Sequence, residues 1–247
     1  MGTFFLGLGK MGIYHEHKLV FYHIPKTAGR AIDSWLGEAN EQPGHVTAWE
    51  MQEFLKRDVY MPLSWFNGRT LDPGNICLTT WASMTKQERV QANYKTYTTF
   101  SIVRDPVDRI RSAWHHRNRE ARRTLWEWKD LFKGSFNDAI LHYGFEDLVK
   151  DKDRESEHFN PIPWLFVNEA GEEILPDIVL DFEFLERDSA RLVDLLGLGL
   201  EPFYPKRNRY IKEDLCPKAF EKFRSIYQSE YDMLAKLRGK LISREEA

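Results

Sequence analysis

Apolar positions fall in short runs separated by polar stretches, and the period within each run names its element. Lys18–Ile24 (KLVFYHI) is a compact apolar run of the kind that forms a buried strand, and Pro25 ends it. The pattern predicts a helix over Gly29–Leu36. Thr47-x-x-Glu50 carries a capping-box signature for a second helix reaching about Lys56, and Thr85-x-x-Glu88 repeats it for a short one. Asn75–Trp81 and Thr98–Val103 (TTFSIV) read as further strands. Asp105-Pro106 supplies an N-cap and a first-turn proline for a helix running to about Arg119.

The second half is richer in helical spacing. Ser135–Lys150 reads as one helix, Trp164–Val167 and Glu173–Leu175 as a hairpin around Asn168–Gly171, and Ile178–Phe182 as a short buried strand. Phe184–Leu196 reads as a helix stopped by Gly197. Pro217 opens a long terminal helix whose Phe220, Phe223, Tyr227, Leu234, Leu237 and Leu241 form a core-facing stripe. Strands alternating with helices predict an α/β fold with a mainly parallel central sheet flanked by helices. Residues 1–17 are expected to be an N-terminal arm, and residues 18–247 one domain.

Composition narrows the class without naming it. With 247 residues, 42% apolar and 30% charged, the chain can bury a full core without staples. No run approaches the 18 apolar residues of a membrane span, and Met1–Tyr14 lacks a cationic start and a cleavage site. Cys77 and Cys216 are the only cysteines, which excludes zinc ribbons, Cys-x-x-Cys redox sites and disulfide scaffolds. A reducing, cytoplasmic setting in a bacterium is the expectation; a luminal domain cut from its anchor would look similar. The net charge of -3 argues against a nucleic-acid binder. Yet residues 100–123 hold seven arginines against three acids, a local positive zone suited to a small anionic ligand, although a solvated helix face accounts for part of it.

Two segments carry the candidate chemistry. In Phe21–Ala31 (FYHIPKTAGRA) a strand runs through a tight loop into a helix, and helix N-termini offer unpaired N–H groups to a phosphate or sulfate. Lys26 adds a mobile charge, Thr27 a hydroxyl donor, and Gly29 a close backbone approach. Lys26 precedes the glycine by three positions, so this is not a Walker A loop. On spacing alone, a plain strand–turn–helix junction is the better reading. In Phe100–Trp114 (FSIVRDPVDRIRSAW), Arg104 sits at a strand end and Ser112 about two turns into the next helix, so both can grip one phosphate. Ligands of open α/β sheets sit at the carboxyl ends of the strands, where both segments would lie.

Together these segments resemble the carbohydrate-type sulfotransferases. HIPKTAG is similar to their 5′-phosphosulfate loop, and VRDPVDRIRSAW to their 3′-phosphate motif, with a serine eight residues after the arginine. His45–Glu50, His158–Pro161 with Trp164-Leu165, and Phe182–Asp188 resemble later family segments, so the similarity spans about residues 19–235. The resemblance implies a P-loop-like fold, 3′-phosphoadenosine 5′-phosphosulfate (PAPS) as donor, and no metal. It places Lys26, Thr27, Ala28, Gly29, Arg30 and Ala31 around the 5′-phosphosulfate, Arg104 and Ser112 on the 3′-phosphate, and Arg207 as a loop residue closing over the nucleotide. The implied acceptor is a hydroxyl of a glycan or glycolipid. Arg30 and Ala31 stand where members carry a hydroxyl pair, and Thr80 or Trp81 where heparan-type relatives carry a histidine base.

Sulfuryl transfer to a hydroxyl needs charge stabilisation on the leaving oxygen, a task for Lys26, and a base for the acceptor proton. His45 is the first candidate base; His115, His116 and His158 are others, and His23, at a strand end, reads as structural. Trp49, Trp81 and Trp114 are nearest the expected site, without identifying an acceptor. Two other readings stay open: a P-loop kinase-like phosphotransferase, and a nucleotide- or sugar-binding protein without turnover. Oligomeric state is not legible.

Overall fold

The computed structural model of the chain describes residues 12–14, 17–37, 48, 97–121, 129–151, 156–167, 170–204 and 213–242. Among these, the chain divides into two compact units, residues 1–103, 165–205 and 237–247 in one, and 104–164 and 206–236 in the other.

Among the described residues the first unit is α/β, a four-stranded mixed sheet with helices. The strands are β1 (Gly12–Tyr14), β2 (Leu19–Tyr22), β3 (Thr98–Val103) and β4 (Ile178–Asp181), in the spatial order β1-β2-β3-β4. β1 is antiparallel to β2, whereas β2, β3 and β4 are mutually parallel, with Leu19 opposite Thr98 and Phe100 opposite Ile178. All four β2 side chains are buried, as in a strand covered on both faces. Two side-chain locks hold the register. Ser101 Oγ donates to Tyr22 O at 2.7 Å, and Asp177 Oδ2 accepts from both the N–H and the hydroxyl of Thr99 at 2.8 and 2.7 Å. Gly12–Tyr14 belong to the stretch expected as an arm, but they form the antiparallel edge strand. Tyr14 donates to Asp33 at 2.7 Å, and burial together with the adjacent Asp33 charge pushes the Tyr14 phenol well above its ordinary pKa.

Helix α1 (Gly29–Leu36) has its expected limits, burying Ile32 and Leu36 in a core with Leu19, Phe21, Phe100, Ile102 and Leu180.

The second unit has its own core. It contains α2 (Pro106–Ala121), α3 (Phe136–Leu141) and α4 (Phe145–Lys150). α2 begins as expected, with Asp105 Oδ1 accepting the Asp108 N–H at 3.1 Å and Pro106 in the first turn. The single helix expected over Ser135–Lys150 is two. Ser135 and Asp138 form a reciprocal capping box, but His142 turns extended and its Nδ1 accepts the Gly144 N–H at 3.1 Å. That local bond competes with helix continuation, and Gly144 is a poor helix former.

Further helices occur at α5 (Pro163–Phe166), α6 (Leu185–Leu196), α7 (Pro217–Ile226) and α8 (Gln228–Arg238). The expected hairpin is reduced to one antiparallel bridge between Val167 and Glu173, because Pro163–Phe166 is helical. α6 stops at Gly197, whose φ of 59° is the left-handed cap anticipated there. The terminal helix breaks at Tyr227, whose side chain is drawn into the core with its hydroxyl on Phe159 O at 2.7 Å. Phe223, Tyr227, Leu234 and Leu237 are buried as the stripe predicts, whereas Phe220 is 40% exposed. Of the helix expected over Thr47–Lys56 only Ala48 is described, helical and buried, and the elements expected over Asn75–Trp81 and after Thr85 lie outside the described residues.

Candidate functional site

The loop Pro25–Ala28 connects the C-terminal end of β2 to α1, and its backbone conformation is unusual. Lys26 and Ala28 have φ of 70° and 76°, while Thr27 between them and Gly29 after them do not adopt positive φ. Alternation of hand along successive residues turns their N–H groups toward a common centre, a concave nest suited to an anion. Holding a non-glycine residue left-handed costs about 1–3 kcal/mol, and such residues concentrate at functional sites. The first closed turn of α1 brings the N–H groups of Ala31 and Ile32 onto Ala28 O at 2.9 and 3.2 Å. The N–H groups of Gly29 and Arg30 precede those bonds, as at any helix start, and point out from the positive end of the helix.

The side chains of the loop are placed as follows by the structure. Thr27 is fully buried and its hydroxyl donates to Ile24 O at 2.6 Å. A hydroxyl has one proton to give, so the Thr27 hydroxyl shapes the loop and leaves the backbone N–H as the residue's donor. Gly29 is not left-handed. A Cβ on residue 29 would lie 2.2 Å from His23 Nε2 and 2.3 Å from His23 Cε1, so the histidine ring occupies that space. Ala31 is half-buried on the first turn, packed against the core of this unit. Arg30 is the second residue of α1.

The second motif starts with the residue that follows β3. Arg104 is half-buried, and Ser112 lies half-buried on α2 with His116 one turn further on. Two of the described arginines of this stretch are not part of a free positive face. Arg109, 1% exposed, makes a two-pronged pair with Glu230, Nε and NH2 donating at 2.7 and 2.5 Å. Its guanidinium also donates to His158 O at 3.1 Å and Asn160 O at 2.9 Å. Arg111 is buried against Asp108 and over the Phe136 ring. Two of the charges counted toward an anion field are therefore matched internally.

The candidate bases divide three ways. His115 is half-buried and edge-on to Trp114, with ring centroids 4.8 Å apart. His116 meets the buried His158 edge-on at 5.7 Å, so these two form a pair. His45, Arg207, Thr80, Trp81 and Trp49 lie outside the described residues. Burial pushes the Tyr227 phenol far above its ordinary value, which leaves it a neutral hydrogen-bond donor to Phe159 O.

Sequence reasoning did not anticipate the task of Asp188, the last residue of a matched family segment. It is fully buried, accepting the Asp181 N–H at 2.8 Å and the Arg187 Nε at 2.9 Å, and so ties the end of β4 to α6. An acid seven residues after a strand-end acid was the available signal.

A strand, a loop with left-handed Lys26 and Ala28, and a helix start follow one another at the carboxyl end of β2, one of the parallel strands. The sulfotransferase family model matches residues 10–238, and the chain belongs to that family. Membership supports sulfuryl transfer as the activity and a transferase as the class of enzyme. No curated protein and no solved structure is a match. Among the described residues no helix is long and apolar enough to cross a membrane, and no cluster of His, Cys, Asp or Glu could hold a metal ion.

Proposed function

We propose that the protein transfers a sulfuryl group from PAPS to a hydroxyl acceptor, a glycan or glycolipid. The observation that carries this reading is the alternating left-handed loop of Lys26 and Ala28 at the start of α1, in a member of the sulfotransferase family. A nest of N–H groups with a lysine in it fits a phosphosulfate, whose charge is spread over several oxygens. The parallel β2–β3–β4 arrangement supports a P-loop-like reading of the fold.

In this reading the N–H groups of Lys26 through Arg30 hold the 5′ group, with Ala31 beside them on the first turn, and Lys26 Nζ neutralises the charge that collects on the bridging oxygen as the sulfur–oxygen bond breaks. Arg104 and Ser112 take the 3′-phosphate, and Arg207 closes over the nucleotide. The acceptor oxygen forms the new bond to sulfur, and its proton passes to His45 as base. The products are a sulfate ester and 3′,5′-adenosine bisphosphate.

The test is a calorimetric titration without magnesium, comparing 3′,5′-adenosine bisphosphate with 5′-AMP and ATP. A clear preference for the bisphosphate, abolished by Arg104→Ala, is expected. Equal binding of all three, or a magnesium requirement, overturns the assignment.

A further inference from the structure

One side chain spans both ends of the candidate phosphosulfate loop. His23 leaves β2 and its ring lies over the Cα of Gly29, the first residue of α1. The ring is not loosely placed. It stacks on Phe21 at 5.3 Å and 29°, and Phe21 stacks on Phe100 of the neighbouring strand at 4.9 Å and 23°. The position of the imidazole is thus set by a column of rings that runs into the sheet.

Between His23 and Gly29 lie two left-handed residues, Lys26 and Ala28. Such residues persist only where the surroundings over-determine them. Two constraints do so here. The Thr27 hydroxyl on Ile24 O fixes the middle of the loop from inside. The His23 ring against a bare Cα fixes how closely the helix start can approach the strand end. Any side chain at 29 would drive the helix start away from the ring or the ring off its stack.

We infer that His23 is a positioning residue for the anion loop: its imidazole, backed by Phe21, sets the approach of α1 to β2 at which the loop N–H groups converge. The inference rests on the reading of Lys26–Ala31 as the site of the donor's 5′ group. It assigns the glycine at 29 to the demands of His23 and not to those of the ligand. A histidine there does no proton transfer; it acts through the backbone it holds.

The experiment titrates 3′,5′-adenosine bisphosphate and 3′-AMP, which lacks the 5′ group, into the wild type, His23→Ala, His23→Phe, Gly29→Ala and the His23→Ala/Gly29→Ala double variant. Thermal melts of each are recorded alongside. His23→Ala is expected to weaken bisphosphate binding about tenfold, the worth of one charge-assisted hydrogen bond, while 3′-AMP changes by less than about twofold. His23→Phe, which keeps a flat ring, restores most of the loss. Gly29→Ala costs at least as much as His23→Ala in the wild type and little in the His23→Ala background, because the collision is gone. Unchanged bisphosphate binding in His23→Ala overturns the inference. So does a loss shared equally by the two nucleotides, which reports general destabilisation, and so does a Gly29→Ala cost that is the same in both backgrounds. A wild-type protein that binds 3′-AMP as tightly as the bisphosphate instead removes the 5′ site itself, so the two failures are distinguishable.

Discussion

Arg109 and Glu230, 121 positions apart in sequence, form a two-pronged ion pair in which both side chains are 1% exposed. The arginine's remaining donors reach the carbonyls of His158 and Asn160, and Tyr227 caps the carbonyl between them. Three consecutive carbonyls of the His158–Asn160 segment are held this way from α2 and the Tyr227 break.

Breaking this pair on one side strands a buried charge. Arg109→Met is expected to lower unfolding stability by about 3–5 kcal/mol, and Glu230→Met by a similar amount. The double replacement recovers much of that, since no charge is left buried, but falls short of wild type because the two carbonyls have lost their donor. Urea denaturation of the three variants measures this. Additive losses would show that the pair is not coupled.

Lys26 and His45 should separate in kinetics if the proposed roles hold. Lys26→Met keeps the aliphatic stem and removes the charge that meets the leaving oxygen, so turnover falls by about 100–1,000-fold. His45→Ala removes the proton acceptor, and turnover falls by about 100-fold or more with bisphosphate affinity unchanged. Release of bisphosphate from PAPS in the presence of a panel of hydroxyl sugars reads both. Near wild-type turnover in His45→Ala across pH would assign the base elsewhere, with the His116–His158 pair next in order.

Asp188 is the buried acid that joins β4 to α6. Its replacement by alanine leaves the Asp181 N–H without its acceptor, and a loss of about 1–3 kcal/mol is expected in the chemical stability of the fold. Asp188→Asn retains one acceptor oxygen and loses less. Bisphosphate affinity should be far less affected than stability, which separates this residue from those of the anion loop.

The capping box at Ser135 gives a pH signature. Hydrogen bonds from the Ser135 hydroxyl and N–H hold the Asp138 carboxyl below the usual carboxylate range. A depressed folded-state pKa contributes stability above the unfolded pKa, and that contribution disappears as pH falls through the folded value. Asp138→Asn should therefore melt lower than wild type at neutral pH, and the gap should close below the ordinary carboxylate pKa. Because the cap is solvent-exposed, the effect is small, and added salt reduces it further. Melting curves from acid to neutral pH, with and without salt, check the sign.

Local signals made much of this fold legible. The limits of α1 and β3, the cap at Asp105 and the stop at Gly197 follow from proline, glycine and capping residues whose effects do not reach beyond a few positions. What escaped depends on partners distant in sequence. Tyr227 breaks a periodic helix because Phe159 O draws its hydroxyl inward, and α3 separates from α4 through a histidine nitrogen on Gly144. The anion loop was legible as a loop. The left-handed Lys26 and Ala28 were not, since neither residue type favours that conformation on its own. Nor was the burial of Arg109 and Arg111 against acids, which a count of charges along the chain cannot reveal.

The sheet that supports the loop is assembled from widely separated stretches of chain. β2 pairs with β3 across the interval from Tyr22 to Thr98, β3 with β4 across that from Val103 to Ile178, and Val179 bonds to Lys240 and Ile242 near the far end. On a ribosome, β2 can pair with β1 at once yet waits for β3 on its other edge, and β4 waits for Lys240 and Ile242. At roughly 5–20 residues per second the wait for β3 runs to about 4–15 seconds, during which one edge of the apolar strand Leu19–Tyr22 has no partner strand. The open edge of β2 is thus the segment on which nascent-chain chaperones are expected to act, and topology of this kind folds slowly once released.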